Sequence, residues 1–300
     1  MTVAGGLLTQ LVLCGLAVVL AIVVPAKHRS LASGGASMAL GVAGVLTGST
    51  AMTAPVPVGL TLGVAMTGTD LGPMILAPTP LGGLFAIVVG AVGALAALYG
   101  IGYAHGPAAS RTGWSAYAVF LLGMLLVTSA GDAVTFLLGW ETMAIGSTVL
   151  LMADHATRPA VRPATLWYAV MTHLSFLALV LGFALLAHDA HSTSFAAIAA
   201  SHVSGPTAVA AYFLLLVGFA TKAGLVPFHV WLPRAHPEAP SHVSAAMSAA
   251  MVKLGIYGLL LVTLRLLPDG PRWWAIGLLV LGGVSAVYGI LEASVTSDLK

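Results

Sequence analysis

The sequence predicts an all-α fold: a polytopic transmembrane helical bundle of about nine spans, N-terminus outside, with a broken seventh helix. Three observations carry that reading. Hydrophobic residues make up 59% of the 300 positions and charged residues 7%, with a mean hydropathy of +1.03. The apolar runs are long and continuous, near the roughly 20 residues a helix needs to cross a bilayer. They lack the short alternating segments of a closed barrel. The basic residues also concentrate in every second loop.

The first run, 4–24, precedes the first charges, Lys27 and Arg29. A secretory leader carries its positive charges before the apolar core, so this run reads as a first helix that stays in place. The second span, 32–53, contains Gly41, Gly44 and Gly48. Such spacing permits close helix packing, but glycine is frequent everywhere (35 of 300), and composition alone accounts for it. Residues 54–73 are rich in Pro, Gly and Thr and read as an extended outer segment of hairpin type.

The third, fourth and fifth spans are expected at 74–103, 114–130 and 133–153. Gly131-Asp132 allows only a tight turn, so spans four and five should be antiparallel neighbours, with Asp132 as a helix cap. The sixth span is expected at 164–187, followed by a polar connection at 188–205 with room for one short helix. Spans seven, eight and nine are expected at 206–227, 240–266 and 273–293. With the N-terminus outside, the inner loops hold Lys27, Arg29, Arg111, Arg158, Arg162, Arg234 and Lys300, and the outer loops hold Arg265 and Arg272. That asymmetry obeys the positive-inside rule.

Several function classes are excluded. A net charge of +2 and the absence of a base-stacking aromatic pattern argue against nucleic acid. Cys14 is the single cysteine and lies within the first apolar run. Cysteine-held iron–sulfur or nickel–iron centres therefore cannot be built from this sequence, and no disulfide framework exists. No GxSxG elbow, HExxH pair or phosphate loop appears. The expectation is a chain with no cofactor and no metal of its own, and substrate chemistry within it ranks last.

Three ionisable residues fall inside spans: Glu141, Lys222 and Lys253. A charge at bilayer depth costs about 3 kcal/mol on insertion scales, and such residues mark ion paths. Glu141, in GWETMAIGSTVLLM, can sit poised between charge states if a cation lies nearby; the bland alternative is a packing carboxylate held by Thr142 or Ser147. Lys222 precedes PFHVWLP, bracketed by Pro227 and Pro233. Proline frees backbone carbonyls, and a broken helix beside an ionisable group recurs in transporters. The competing reading of Lys222 is an amine snorkelling to the inner interface. Lys253 is too central to snorkel easily, and Ser244, Ser248, Ala249 and Ala250 leave space for water. His229, His236 and His242 cluster around the break and are candidate proton relays, or ordinary loop histidines. His173, in the sixth span, is a further candidate relay between Glu141 and Lys222. His188 and His191 lack a third ligand for metal.

Two stretches, GWETMAIGSTVLLMADH and FATKAGLVPFHVWLPRAHPEAPSHVSAAMSAAMVKLGIYGLL, resemble the antiporter-like membrane subunits. That superfamily includes the proton-channel subunits of respiratory complex I, multisubunit cation/proton antiporter subunits, and membrane subunits of group 4 hydrogenases. The form of the second stretch, with LYGIGYAHG after the third span, is most similar to hydrogenase-4 component B and the formate hydrogenlyase membrane subunit. The resemblance implies that Glu141 pairs with Lys222, that Lys253 passes protons toward the far half-channel, and that His229 lies near the path. It implies that redox cofactors reside in partner subunits, with the bilayer and protons as the other partners and sodium as the alternative ion. Family members hold two inverted repeats and about fourteen helices. On that pattern 1–113 are N-terminal helices with the outer segment at 54–73, 114–267 form one proton-channel repeat, and 268–300 begin a second repeat.

The expected function is proton translocation through a Glu–Lys–Lys path in a multi-pass subunit of a redox-driven respiratory or hydrogenase complex in the cell (inner) membrane. The alternatives are a sodium/proton antiporter subunit driven by an ion gradient, and a structural membrane anchor.

Overall fold

A computed structural model describes residues 2–54, 59–62 and 74–296. Among them, nine helices are long and apolar enough to cross a membrane, matching the nine expected spans in order. The first three are α1 (Val3–Val23), α2 (Ala26–Thr53) and α3 (Pro80–Tyr103). The next three are α4 (Arg111–Ser129), α5 (Ala133–Leu151) and α6 (Val161–Ala190). A short α7 (Phe195–Ala200) occupies the polar connection before α8 (Gly205–Ala223), the seventh span. After the short α9 (Leu232–Glu238), the eighth span comprises α10 (Ser241–Ala246), a π-helical turn (Met247–Met251), α11 (Val252–Leu261) and a second π turn (Val262–Leu266). The ninth is α12 (Arg272–Val295). Outer and inner ends below follow the loop-charge bias.

Three boundaries differ from expectation. The third span starts at Pro80, not 74, because Met74–Leu76 form a strand, β2, paired antiparallel with β1 (Leu60–Leu62). Thr79 caps the helix by accepting from the Gly82 N–H, and Pro80 sits where its missing N–H costs nothing. The hairpin expected at 54–73 is thus present through its flanking strands, and its middle lies outside the described residues. The second span begins at Ala26, directly after Pro25, and not at 32. The seventh ends at Ala223, where Gly224 adopts φ +69°. There the Leu225 N–H reaches the Ala220 carbonyl and the Gly224 N–H the Thr221 carbonyl, a Schellman closure that requires left-handed backbone.

The glycines of α2 are more than composition. A Cβ at Gly41 would lie 2.5 Å from the Gly90 carbonyl oxygen, and one at Gly48 2.5 Å from that of Gly83. Helices α2 and α3 therefore meet backbone to backbone along this seam. Across the tight turn at Gly131-Asp132, α4 and α5 pack as antiparallel neighbours, Gly123 lying against Met143 and Gly139 against Val127. The centre of the bundle is aromatic: Phe136 packs on Trp140, Phe183, Phe195, Phe219 and Tyr257. Helix α12 lies at the edge; Trp274 is its one buried residue.

Candidate functional site

The three ionisable residues enter from three spans. Glu141 sits on α5, Lys222 in the last turn of α8, and Lys253 on α11 just after the first π turn.

Lys222 is 1% exposed, so it does not snorkel. Its amine donates to the Tyr168 hydroxyl at 3.1 Å and lies 5.2 Å from the Tyr168 ring centroid and 5.9 Å from that of Trp140. A cation so enclosed gains from ring quadrupoles and from the negative end of α8. The Schellman closure turns the chain away immediately afterwards, leaving the amine inside the bundle. Trp231, beyond the break, packs on Tyr168 and donates its indole N–H to the Thr221 carbonyl at 2.7 Å. The broken segment therefore folds back as a wall of the lysine chamber.

Tyr168 escaped the sequence reading. Its hydroxyl joins Lys222 to Ser147, 2.6 Å away, and lies 3.5 Å from the Met251 sulfur. A tyrosine in an apolar helix gives little signal alone. The available clue was the spacing of Thr165, Tyr168, Thr172 and Ser175, a polar stripe on one face of α6 that is fully or almost fully buried. Ser147, considered as a holder of Glu141, is engaged by Tyr168 and by the carbonyls of Met143 and Ala144.

The resemblance implied a Glu141–Lys222 pair. Among the described residues no ion pair joins them; Glu141 Oε1 instead lies 3.2 Å from His173 Nε2. The other histidine nitrogen, Nδ1, is 2.7 Å from the Ala169 carbonyl. A carbonyl can only accept, so Nδ1 carries a proton. That leaves Nε2 facing the Glu141 carboxyl within hydrogen-bond reach. Glu141 is 22% exposed and His173 55%. His173 thus lies on the outer flank of α6, and Tyr168 rather than His173 contacts Lys222. The second oxygen of Glu141, Oε2, is buried with no partner among the described residues.

Lys253 is exposed and donates to the Ser248 carbonyl at 3.0 Å. The relay histidines divide into two groups. His229 and His236 line one cavity with Ser244, while His242, 1% exposed, points the other way, between Trp114 and Tyr117. His236 Nδ1 lies 3.2 Å from the Ser244 hydroxyl. Nδ1 of His229 and of His242 are buried without partners among the described residues. Also among those residues, no three His, Cys, Asp or Glu side chains gather as a metal site.

Comparison with known proteins covers most of the chain. Residues 130–300 match the NADH:quinone oxidoreductase/Mrp antiporter transmembrane family. An uncharacterised protein of Mycobacterium tuberculosis is 53% identical over 220 residues, 73% of this chain and 34% of that protein. Hydrogenase-4 component B of Escherichia coli is 35% identical over 184 residues, 61% of this chain and 27% of that protein. The match thus spans about a third or less of these curated relatives. Among solved structures, the membrane-bound sulfane sulfur reductase, an archaeal respiratory membrane complex, matches with a TM-score of 0.70 at 27% identity, covering 86% of this chain and 40% of that one.

Proposed function

The chain belongs to the NADH:quinone oxidoreductase/Mrp antiporter transmembrane family, and on that premise we propose that it is a proton-carrying membrane subunit of a redox-driven complex of the hydrogenase-4 or complex I kind. It is a multi-pass membrane protein related to subunits of multisubunit membrane assemblies. The partner subunits supply the redox cofactors and the driving reaction; this chain supplies the path.

The observation that carries the proposal is the 3.2 Å approach of His173 Nε2 to Glu141 Oε1, with the other carboxyl oxygen buried and without a partner among the described residues. A carboxylate and an imidazole within reach of each other can pass a proton between them. Near that pair Lys222 is enclosed, its amine on the Tyr168 hydroxyl and against the rings of Tyr168 and Trp140. Charge moved at Glu141 acts electrostatically on the enclosed Lys222 amine. Lys253, hydrogen-bonded to a backbone carbonyl, is the next acceptor along the eighth span.

The test uses the whole complex in sealed membrane vesicles. Glu141→Gln should abolish coupled proton transport and leave assembly and electron transfer intact. Transport at the normal ratio in that variant would overturn the reading. Proton flux that needs a sodium gradient and no electron donor would move the assignment to the gradient-driven antiporter.

A further inference from the structure

A groove on the inner rim lies outside this path. It has a volume of about 350 Å³ and runs between the first turns of α6 and the short α9. Pro163, Ala164 and Trp167 line one wall, and Pro233, Arg234 and Glu238 line the other.

Arg234 is oriented and unpaired. Its guanidinium carbon lies 4.3 Å from the centroid of the Trp167 ring. Stacking on an indole uses the flat face of a guanidinium and leaves the N–H donors at its edge free. Among the described residues Arg234 forms no ion pair, and neither does Arg162 in the first turn of α6. The carboxylate in the groove wall is already engaged, because Glu238 Oε2 lies 2.8 Å from Arg158 Nη2. The groove thus presents a fixed fork of donors with a second free cation on the same rim. Paired guanidinium N–H groups match two oxygens of a phosphate.

The surroundings decide which phosphate fits. Trp167 stands in the second turn of α6 and is 44% exposed. An indole with one wet edge belongs at the level of lipid headgroups. Leu166, Val170, Leu174 and Leu177 share one side of α6, each about half exposed or more. From Leu166 to Leu177 the helix rises about 16 Å, close to the roughly 15 Å of hydrocarbon in one leaflet. A free phosphate ion would use the arginine alone. A cation, an indole and an apolar track one leaflet long, in that order, fit a whole lipid. The inner leaflet is also the anionic one, which attracts basic residues at its surface.

We propose that this groove binds an anionic glycerophospholipid of the inner leaflet. Arg234 holds its phosphate, Arg162 adds positive charge at the rim, and an acyl chain lies along Leu166, Val170, Leu174 and Leu177. The lipid joins α6 to α9, the segment that follows the break.

The test uses the native complex, purified and delipidated in mild detergent. It is labelled with a phosphatidylglycerol that carries a diazirine in one acyl chain, and adducts are mapped by peptide mass spectrometry. Adducts should form within 162–177. Unlabelled phosphatidylglycerol should displace the probe there at least about tenfold better than phosphatidylcholine, as two arginines facing one phosphate imply. Inorganic phosphate should not displace it. Arg234→Gln should lower labelling at 162–177 about fivefold, the share of one basic residue, and leave labelling of α1 unchanged. Equal displacement by phosphatidylcholine would make the contact unselective and overturn the site. Displacement by inorganic phosphate as effective as that by phosphatidylglycerol would leave an anion site and overturn the lipid. No adducts within 162–177 would mean that protein covers the groove, which also overturns it. Should Arg234→Gln fail to assemble, the displacement series on the unmodified complex decides alone.

Discussion

The outer and inner ends of the bundle treat their polar groups in opposite ways. At the outer end, Asp132 is fully buried, and every one of its contacts is made. It accepts the Ile75 N–H at 2.7 Å, the Thr135 N–H at 2.9 Å and the Thr135 hydroxyl at 2.5 Å. The surrounding turn is stitched on two sides: Gly131 N–H to Ile75 and Ala77 N–H to Ser129 on one, Ala133 N–H to Thr193 and Phe195 N–H to Gly131 on the other. At the inner end the chain breaks at Gly224, a roomy polar cavity opens, and His229 Nδ1 lacks a protein partner among the described residues. The first arrangement is a seal, in which both carboxylate oxygens are engaged by the protein. The second sets polar atoms that lack protein partners among the described residues beside a cavity.

Four substitutions test that contrast, from the largest effect down. Asp132→Ala should cost about 2–3 kcal/mol, because it strands the buried Thr135 N–H and leaves the Ile75 N–H only the Thr135 hydroxyl at 3.1 Å, a buried donor without its partner costing about 1–3 kcal/mol. Thermal unfolding of the detergent-solubilised protein would show the loss, and an unchanged midpoint would mean the outer clamp is not what holds the β-hairpin. Lys222→Met should do the reverse. A buried charge replaced by an apolar group of similar length is often neutral to stabilising, by about 1 kcal/mol here, while vesicle proton transport should fall at least tenfold. A stability loss as large as that of Asp132→Ala would make Lys222 a structural cation.

Tyr168→Phe keeps the ring and removes the hydroxyl between Lys222 and Ser147, which should cost about 1 kcal/mol and slow transport without stopping it. Transport equal to the unmodified protein would show that Tyr168 is only a wall. Ser285→Ala should have the smallest effect, about 0.5–1 kcal/mol, from the loss of one partly exposed hydrogen bond to the Val226 N–H. Hydrogen exchange at 224–232 should then quicken, while exchange in α5 should not change.

The spans were legible because hydropathy over about 20 residues is a property of the chain itself. Asp132 was legible for a related reason, since a cap acts on its own neighbours. The failures share a different cause. Gly41 and Gly48 read as composition because their partners, Gly90 and Gly83, lie some 35 to 50 positions away. The resemblance implies a Glu141–Lys222 pair, and the neighbour found 3.2 Å from Glu141 is His173, which only the rotation of α6 about its axis reveals. Tyr168 was passed over because it is a single polar residue in an apolar helix, and its meaning depends on which residues share its face. Local chemistry could be read directly; the facing of one helix toward another could not.

The eighth span contains two turns of wider winding, Met247–Met251 and Val262–Leu266. Such a turn accommodates one extra residue within an otherwise α-helical rod. Lys253 follows the first of them. Removing a single residue there would restore ordinary winding and leave the bearing of everything beyond it nearly unchanged, because the wide turn is what takes up the extra residue. The length of chain spent in that turn therefore does not show in the direction Lys253 faces, and a one-codon deletion there would be a different lesion from a point mutation at Lys253: the first removes the wide turn, the second the amine.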